Sequence, residues 1–208
     1  RVSRTVHDTP FARTRRTNVA AARAVLGAAA DRGCDPIIHL SSIVATLRSR
    51  GTVTPDSPLS TVRGPYIQSK VESERYARQL QDQGAPVVIV APGAVYGPDD
   101  PGLSEAMRQL RDILRGHYPL WTTGGFHGTD VRDVAAVTAA AMAPGRGPRR
   151  YLVPGHYLDG PTLFGALRSV TGRRLLVLRV PTPLLLPMAW LVSAVQRVVP
   201  VHLPAEYE

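Results

Sequence analysis

An α/β fold, with a parallel sheet followed by a small α/β cap, is what this sequence predicts, on three observations. Two apolar runs of strand length, Pro36-Ile37-Ile38-His39-Leu40 and Pro86-Val87-Val88-Ile89-Val90-Ala91, lack the alternation of a half-exposed strand. Unbroken runs of this kind suit a parallel sheet covered on both faces. A helical stretch over about 65–82 lies between them and supplies the long crossover that a parallel pair requires. The chain has 208 residues, 44% hydrophobic and 20% charged, which provides a core for one ordinary domain with a small appendage.

The elements follow in order. Residues 1–16 are arginine-rich without apolar periodicity and are expected to lack regular structure. Residues 17–32 are alanine-rich and predict a helix that stops near Gly33. The strand at 36–40 is expected to be buried and closes at Ser41-Ser42. A polar loop with proline and glycine spans about 47–65. The helix over 65–82 carries Val71, Tyr76, Ala77 and Leu80 and stops at Gly84, before the strand at 86–91. Helices near 102–115 and 130–142, a strand at 150–153, a helix at 161–171, a strand at 175–179 and a final helix complete the chain. That last apolar stretch, Leu184 to Val195, is interrupted by Pro187 and falls short of the about 20 residues that span a bilayer. Stable membrane insertion is not expected.

The formal charge of +9 raises a nucleic-acid partner. The arginines are spread along the whole chain, however, and no basic stripe interleaved with aromatics appears, so nucleic acid is not expected. The one cysteine, Cys34, excludes an internal disulfide and fits a reducing compartment, here the cytoplasm. It has no nearby histidine, and no metal site is expected.

Of the 25 lysines and arginines only Lys70 is a lysine. Arginine is a planar fork that stays charged, lysine a compact point charge on a flexible stem, so a lone lysine points to a need for its shape. It follows Tyr66 by four residues, which puts both on one helix face. A tyrosine has an ordinary pKa of about 10 and is a poor base at neutral pH; a neighbouring ammonium and the positive end of a helix both favour its phenolate. Tyr66 has both if the helix starts near Pro65, and then serves as a proton donor or acceptor for a substrate oxygen. Ser41 and Ser42 follow the first strand, and Pro92-Gly93-Ala94-Val95-Tyr96-Gly97-Pro98 follows the second. Ligands of parallel α/β sheets bind beyond the carboxyl ends of the strands, so these features are expected at one rim, with a serine hydroxyl holding the substrate oxygen.

These residues carry a resemblance. Thr17-Asn18-Val19 with Val25-Leu26, His39-Leu40-Ser41-Ser42, Tyr66 through Lys70, Ala91 through Pro98, Asp130 through Ala135 and Arg150 through Val153 occur in an order similar to that of extended short-chain dehydrogenase/reductases. This is the NAD-dependent epimerase/dehydratase group, and the dihydroflavonol-4-reductase-like branch is most similar. The resemblance covers most of residues 17–180 and implies a Rossmann-type parallel sheet. It implies a partial dinucleotide-binding region over 1–98 and a substrate-binding cap over 99–208 with Rossmann elements interleaved at about 130–153. It makes Tyr66 the catalytic acid/base and Lys70 its activator. Ser42 is the better match to the catalytic serine, with Ser41 as the fallback. Tyr66, Lys70, Pro92, Gly93 and Val95 are implied to contact NAD or NADP. Ala91 departs from the family, which often has arginine there. Arg132 and Asp133 read as a helix N-terminal charge pattern. His117, Trp121, His127 and His156 lie in segments that would cap the substrate.

The family's glycine-rich turn, which lets a dinucleotide pyrophosphate rest on a helix N-terminus, has no match: the first glycine is Gly27, inside a predicted helix. Set on the family pattern, residue 1 falls just after the fourth strand. The expectations are a fragment, a piece of a complex in which another chain completes the sheet, or a truncated non-catalytic homologue acting as an interaction subunit. The activity implied is NAD(P)-dependent reduction of a ketone or oxidation of a secondary alcohol, with nucleotide-sugar epimerase or dehydratase as the alternative. The partners expected are a small-molecule substrate and either a second copy of the chain or a chain completing the sheet.

Overall fold

The computed structural model describes residues 10–48, 51–117 and 120–181. The elements in chain order are α1 (Pro10–Asp31), β1 (Ile37–Leu40), a 3₁₀ turn (Ile43–Thr46), α2 (Pro65–Asp82), β2 (Val87–Ala91), β3 (Ala94–Tyr96) and α3 (Glu105–Leu114). They continue with β4 (Leu120–Thr122), β5 (Gly125–Asp130), α4 (Val131–Ala141), β6 (Arg149–Leu152), β7 (His156–Asp159), α5 (Gly160–Thr171) and β8 (Leu178–Val180). The described residues divide into two compact units, those within 1–93 and 131–154 and those within 94–130 and 155–208.

The first unit is a parallel sheet in the order β1-β2-β6. Every residue of the central β2 is buried. Because successive strand residues face opposite sides, Val87 and Ile89 pack with Leu26 of α1 and Ala77 and Leu80 of α2. Val88 and Val90 pack on the other face with Ala141 of α4 and Val153. A strand enclosed on both faces needs apolar side chains at every position, which is why its sequence does not alternate. The α/β, parallel-sheet expectation holds.

Two expectations need correction. Helix α1 begins at Pro10 rather than near residue 17. Proline is well suited to a first helical position, and arginine ranks among the better helix formers, so the arginine-rich segment from 10 to 16 extends the helix. Strand β1 is not fully buried: Ile37 is enclosed, but Leu40 is 52% exposed. Among the described residues β1 pairs with β2 alone, and it is an edge strand for that reason. Helix α2 has the predicted bounds, with Pro65 in its first turn. The chain leaves α1 at Gly33 (φ 67°) and α2 at Gly84 (φ 89°), left-handed conformations that favour glycine.

In the second unit β5 pairs parallel with β3 and antiparallel with β7, while β4 and β8 form a two-stranded parallel sheet. Its core gathers Ile113 of α3, Leu163 and Phe164 of α5 and Leu175, with Trp121 and Phe126 packed on them. Trp121 meets the Phe164 ring edge-on at 5.7 Å between centroids. Strands β3, β4, β5 and β7 have no counterpart in the expected element order. They are short, and Gly125-Phe126-His127-Gly128-Thr129-Asp130 of β5 has neither an apolar run nor a clean alternation. Its glycine is there for closeness: a Cβ on Gly125 would lie 2.6 Å from the Leu158 carbonyl oxygen. The predicted final helix lies outside the described residues.

Ile89, 2% exposed at the centre of the sheet, provides the test of this core. Ile89→Ala is expected to destabilise the first unit by about 2–5 kcal/mol, seen as a lower urea midpoint at unchanged slope.

Candidate active site

Tyr66 and Lys70 occupy the first two turns of α2, so the phenol stands at the positive end of the helix. The Lys70 Nζ lies 5.9 Å from the centroid of the Tyr66 ring, within the reach of a cation–π attraction. Tyr66 is 47% exposed. Lys70 is more enclosed, and burial lowers its pKa from the ordinary value of 10.5.

The two serines part company because they are neighbours at the end of a strand. Ser41 and Ser42 both lose their surface, but their hydroxyls go to different partners. The Ser41 hydroxyl donates to Glu74 Oε2 of α2 at 2.5 Å. That of Ser42 donates to the Pro92 carbonyl at 3.5 Å and accepts from the Val44 amide, also at 3.5 Å, capping the 3₁₀ turn. Both Ser42 bonds are long, near the limit for such contacts, so this hydroxyl is less committed than that of Ser41. The Ile43 amide also reaches the Pro92 carbonyl, at 3.0 Å, joining the end of β1 to the Pro92-Gly93 turn after β2.

Two pairs thus come together within the first unit, Tyr66 with Lys70 and Ser42 with Pro92. Val95 belongs to the second unit, where it lies in β3 opposite Thr129 of β5. Of the residues in the expected cap, Trp121 is built into the aromatic core and its Nε1 donates to the Gly124 carbonyl at 3.1 Å. His117 and His156 are exposed, and the Nδ1 of His127 is buried without a hydrogen-bond partner. Asp133 lies in the first turn of α4. Cys34 is exposed at the turn after α1.

Sequence reasoning missed Glu74 and Arg78, and it quoted His39 and Asn18 only as matching segments, without a role. Glu74 and Arg78 continue the four-residue spacing of Tyr66 and Lys70 along α2, which was the available signal. Asn18 donates to the Ser69 hydroxyl at 3.4 Å, tying α1 to α2 beside Lys70. His39, Lys70, Asn18, Val25 and Leu40 line a cleft of about 390 Å³ bounded by α1, β1 and α2. Among the described residues no group of three or more His, Cys, Asp or Glu is placed to hold a metal ion. No described helix is long and apolar enough to cross a membrane.

The family model described as NAD dependent epimerase/dehydratase family matches residues 6–153. A protein of Synechocystis sp. with the provisional name dihydroflavonol 4-reductase is 30% identical over 184 residues, covering 84% of this chain and 53% of its own. Sterol demethylase protein B of Methylococcus capsulatus is 29% identical over 187 residues, covering 86% and 56%. The chain therefore spans about half the length of the curated relatives it matches. The crystal structure of gox2253 superimposes with a TM-score of 0.78 at 25% identity, covering 96% of this chain and 62% of that one.

His39 provides a test of the electrostatics around the cleft. Burial lowers its pKa from 6.5, opposed by the Glu74 carboxylate and reinforced by the Lys70 ammonium. As pH falls through 6.5 the unfolded chain takes up this proton first, so stability is lost between 6.5 and the lower folded value and no further below it. The loss cannot exceed about 1.4 kcal/mol per pH unit. Urea midpoints measured from pH 7.5 down to pH 5 are expected to fall in the native chain and to fall less in His39→Gln.

Proposed function

The chain belongs to the NAD-dependent epimerase/dehydratase family, and on that premise we propose that it forms the catalytic part of an NAD(P)-dependent oxidoreductase. Its substrates are a ketone or the corresponding secondary alcohol. The observation that carries this reading is the pairing of Tyr66 and Lys70, one helical turn apart at the start of α2, with the ammonium 5.9 Å from the phenol ring.

The donor set fits the ribose and nicotinamide end of a dinucleotide. Lys70 offers three N–H donors on a stem long enough to reach sugar hydroxyls, and Pro92-Gly93 offers backbone to a flat ring. A bound nicotinamide supplies or removes the hydride. During reduction Tyr66 gives its phenolic proton to the substrate oxygen, and during oxidation its phenolate takes that proton back. Lys70 favours the phenolate by its charge. Burial of Lys70 strengthens the pairing, because a poorly hydrated ammonium gains more from a nearby anion. Ser42 holds the substrate oxygen with a hydroxyl that has only long bonds to give up. The single cysteine supports a reducing compartment, in keeping with a cytoplasmic protein. Among the described residues β1 pairs on one side only, which supports a partner strand, from a second copy or another chain, that completes the sheet.

The test is Tyr66→Phe in the protein as its source organism expresses it. Loss of nearly all turnover, about 10²–10⁴-fold for a missing acid/base, is expected while NAD(P)H still binds by fluorescence titration. Retained turnover overturns the assignment. Tightly held NAD that is never released or net reduced during turnover moves the reading to the nucleotide-sugar epimerase or dehydratase class.

A further inference from the structure

Resting on the reading of Ser42, Tyr66 and Lys70 given above, we infer that Glu74 is a positioning residue that holds the serine end of β1 in register with the tyrosine helix. Glu74 ranks among the largest fully buried side chains, as enclosed as the valines of β2. A carboxylate so enclosed is costly unless donors surround it. Here it receives the Ser41 hydroxyl on Oε2 and, on Oε1, Arg78 Nε at 3.0 Å and Nη2 at 2.6 Å.

An i,i+4 pair on a helix is ordinarily a solvated surface contact of little consequence. This one differs in burial and in reach. The side chain of Glu74 is 2% exposed and that of Arg78 17%. Ser41 lies 33 positions before Glu74, and the remaining arm of Arg78, Nη1, donates at 3.0 Å to the carbonyl of Ser57, 21 positions before it. Ser57 is itself fixed, since its hydroxyl accepts from the Thr54 amide at 2.9 Å. Three residues on, the Ser60 amide donates at 2.8 Å to the Ala45 carbonyl, within the turn that Ser42 caps. The contacts close a ring: β1, Glu74, Arg78, the 54–60 loop, the 3₁₀ turn and back to Ser42.

Binding the Ser41 side chain to α2 fixes the direction of its neighbour, because adjacent residues of extended chain face opposite ways. Ser42, extended at φ −161° and ψ 149°, is thereby directed to Pro92. Tyr66, Lys70, Glu74 and Arg78 share one stripe of α2 at four-residue spacing. The clasp on the second half of the stripe therefore sets where the first half stands relative to the end of β1.

Glu74→Gln keeps the volume and removes the charge, and Ser41→Ala removes a single hydroxyl. In the chain without substrate, both are expected to speed hydrogen exchange of amides 41–46, and Glu74→Gln also that of amides 57–60. In the protein as its source expresses it, kcat is expected to fall by about 10²-fold for a displacement of this kind, with KM and NAD(P)H affinity unchanged. The double variant is expected to be no slower than Glu74→Gln alone, as for residues acting through one contact. Unchanged exchange at 41–46, or losses that multiply in the double variant, overturns the inference. Should Glu74→Gln not fold, Ser41→Ala decides by the exchange and kcat readouts. Turnover lost in Tyr66→Phe but kept in Glu74→Gln and Ser41→Ala overturns this inference alone; turnover kept in Tyr66→Phe overturns the reading of the site and this inference with it.

Discussion

A carboxylate enclosed in a protein interior has to be met by donors, and Glu74 dictates much of the first unit by that requirement. Its two oxygens take the hydroxyl at the end of β1 and the guanidinium one turn further along α2. The guanidinium in turn has an arm left for the loop between them. Hydrophobic burial brings α2 onto the sheet but is indifferent to small slides along it. Directional bonds to one buried group remove that freedom. The sheet supplies adhesion, and the buried polar group supplies register.

The apolar framework obeys a simpler rule. Strand β2 is covered on both faces, by α1 and α2 on one side and α4 on the other, so its sequence carries no polar residue from Val87 to Ala91. Strand β1 has a neighbour on one side only among the described residues, and its exposure rises toward Leu40. The cleft containing Lys70 and His39 runs beside this strand. Lys70 is thus enclosed enough to lose hydration, which lowers its pKa, yet it borders a space that solvent or a ligand can enter.

What was legible in the sequence follows from which forces are local. The bounds of α2, the position of β2 and the helix stops at Gly33 and Gly84 were readable because periodicity, apolar runs and left-handed glycines are properties of short windows. The pairing of Tyr66 with Lys70 was readable for the same reason, being set by helical pitch. The strands of the second unit were not, since β5 and β7 owe their pairing to close backbone approach at Gly125 rather than to apolar patterning. Glu74 also escaped notice: in Val71-Glu72-Ser73-Glu74-Arg75 it looks like any solvated helix acid, and only its distant partners distinguish it from Glu72. The arginines of α1 hide a helix start, because a charged run without apolar periodicity looks the same in a helix and in a loop.

The stripe on α2 has an evolutionary corollary. Each residue turns an α-helix by about 100° and advances it about 1.5 Å, so one residue inserted or deleted between Lys70 and Glu74 would swing the phenol and ammonium away from the carboxylate's partners, and one between Glu74 and Arg78 would part the carboxylate from its guanidinium. The segment from 66 to 78 is therefore closed to changes of length, whatever substitutions it accepts. The polar loop before it is held near Ser57 and Ser60, which leaves room for growth between those anchors and Pro65. Length variation among relatives should accumulate in that loop and spare the helix, which serves as a ruler graduated in turns.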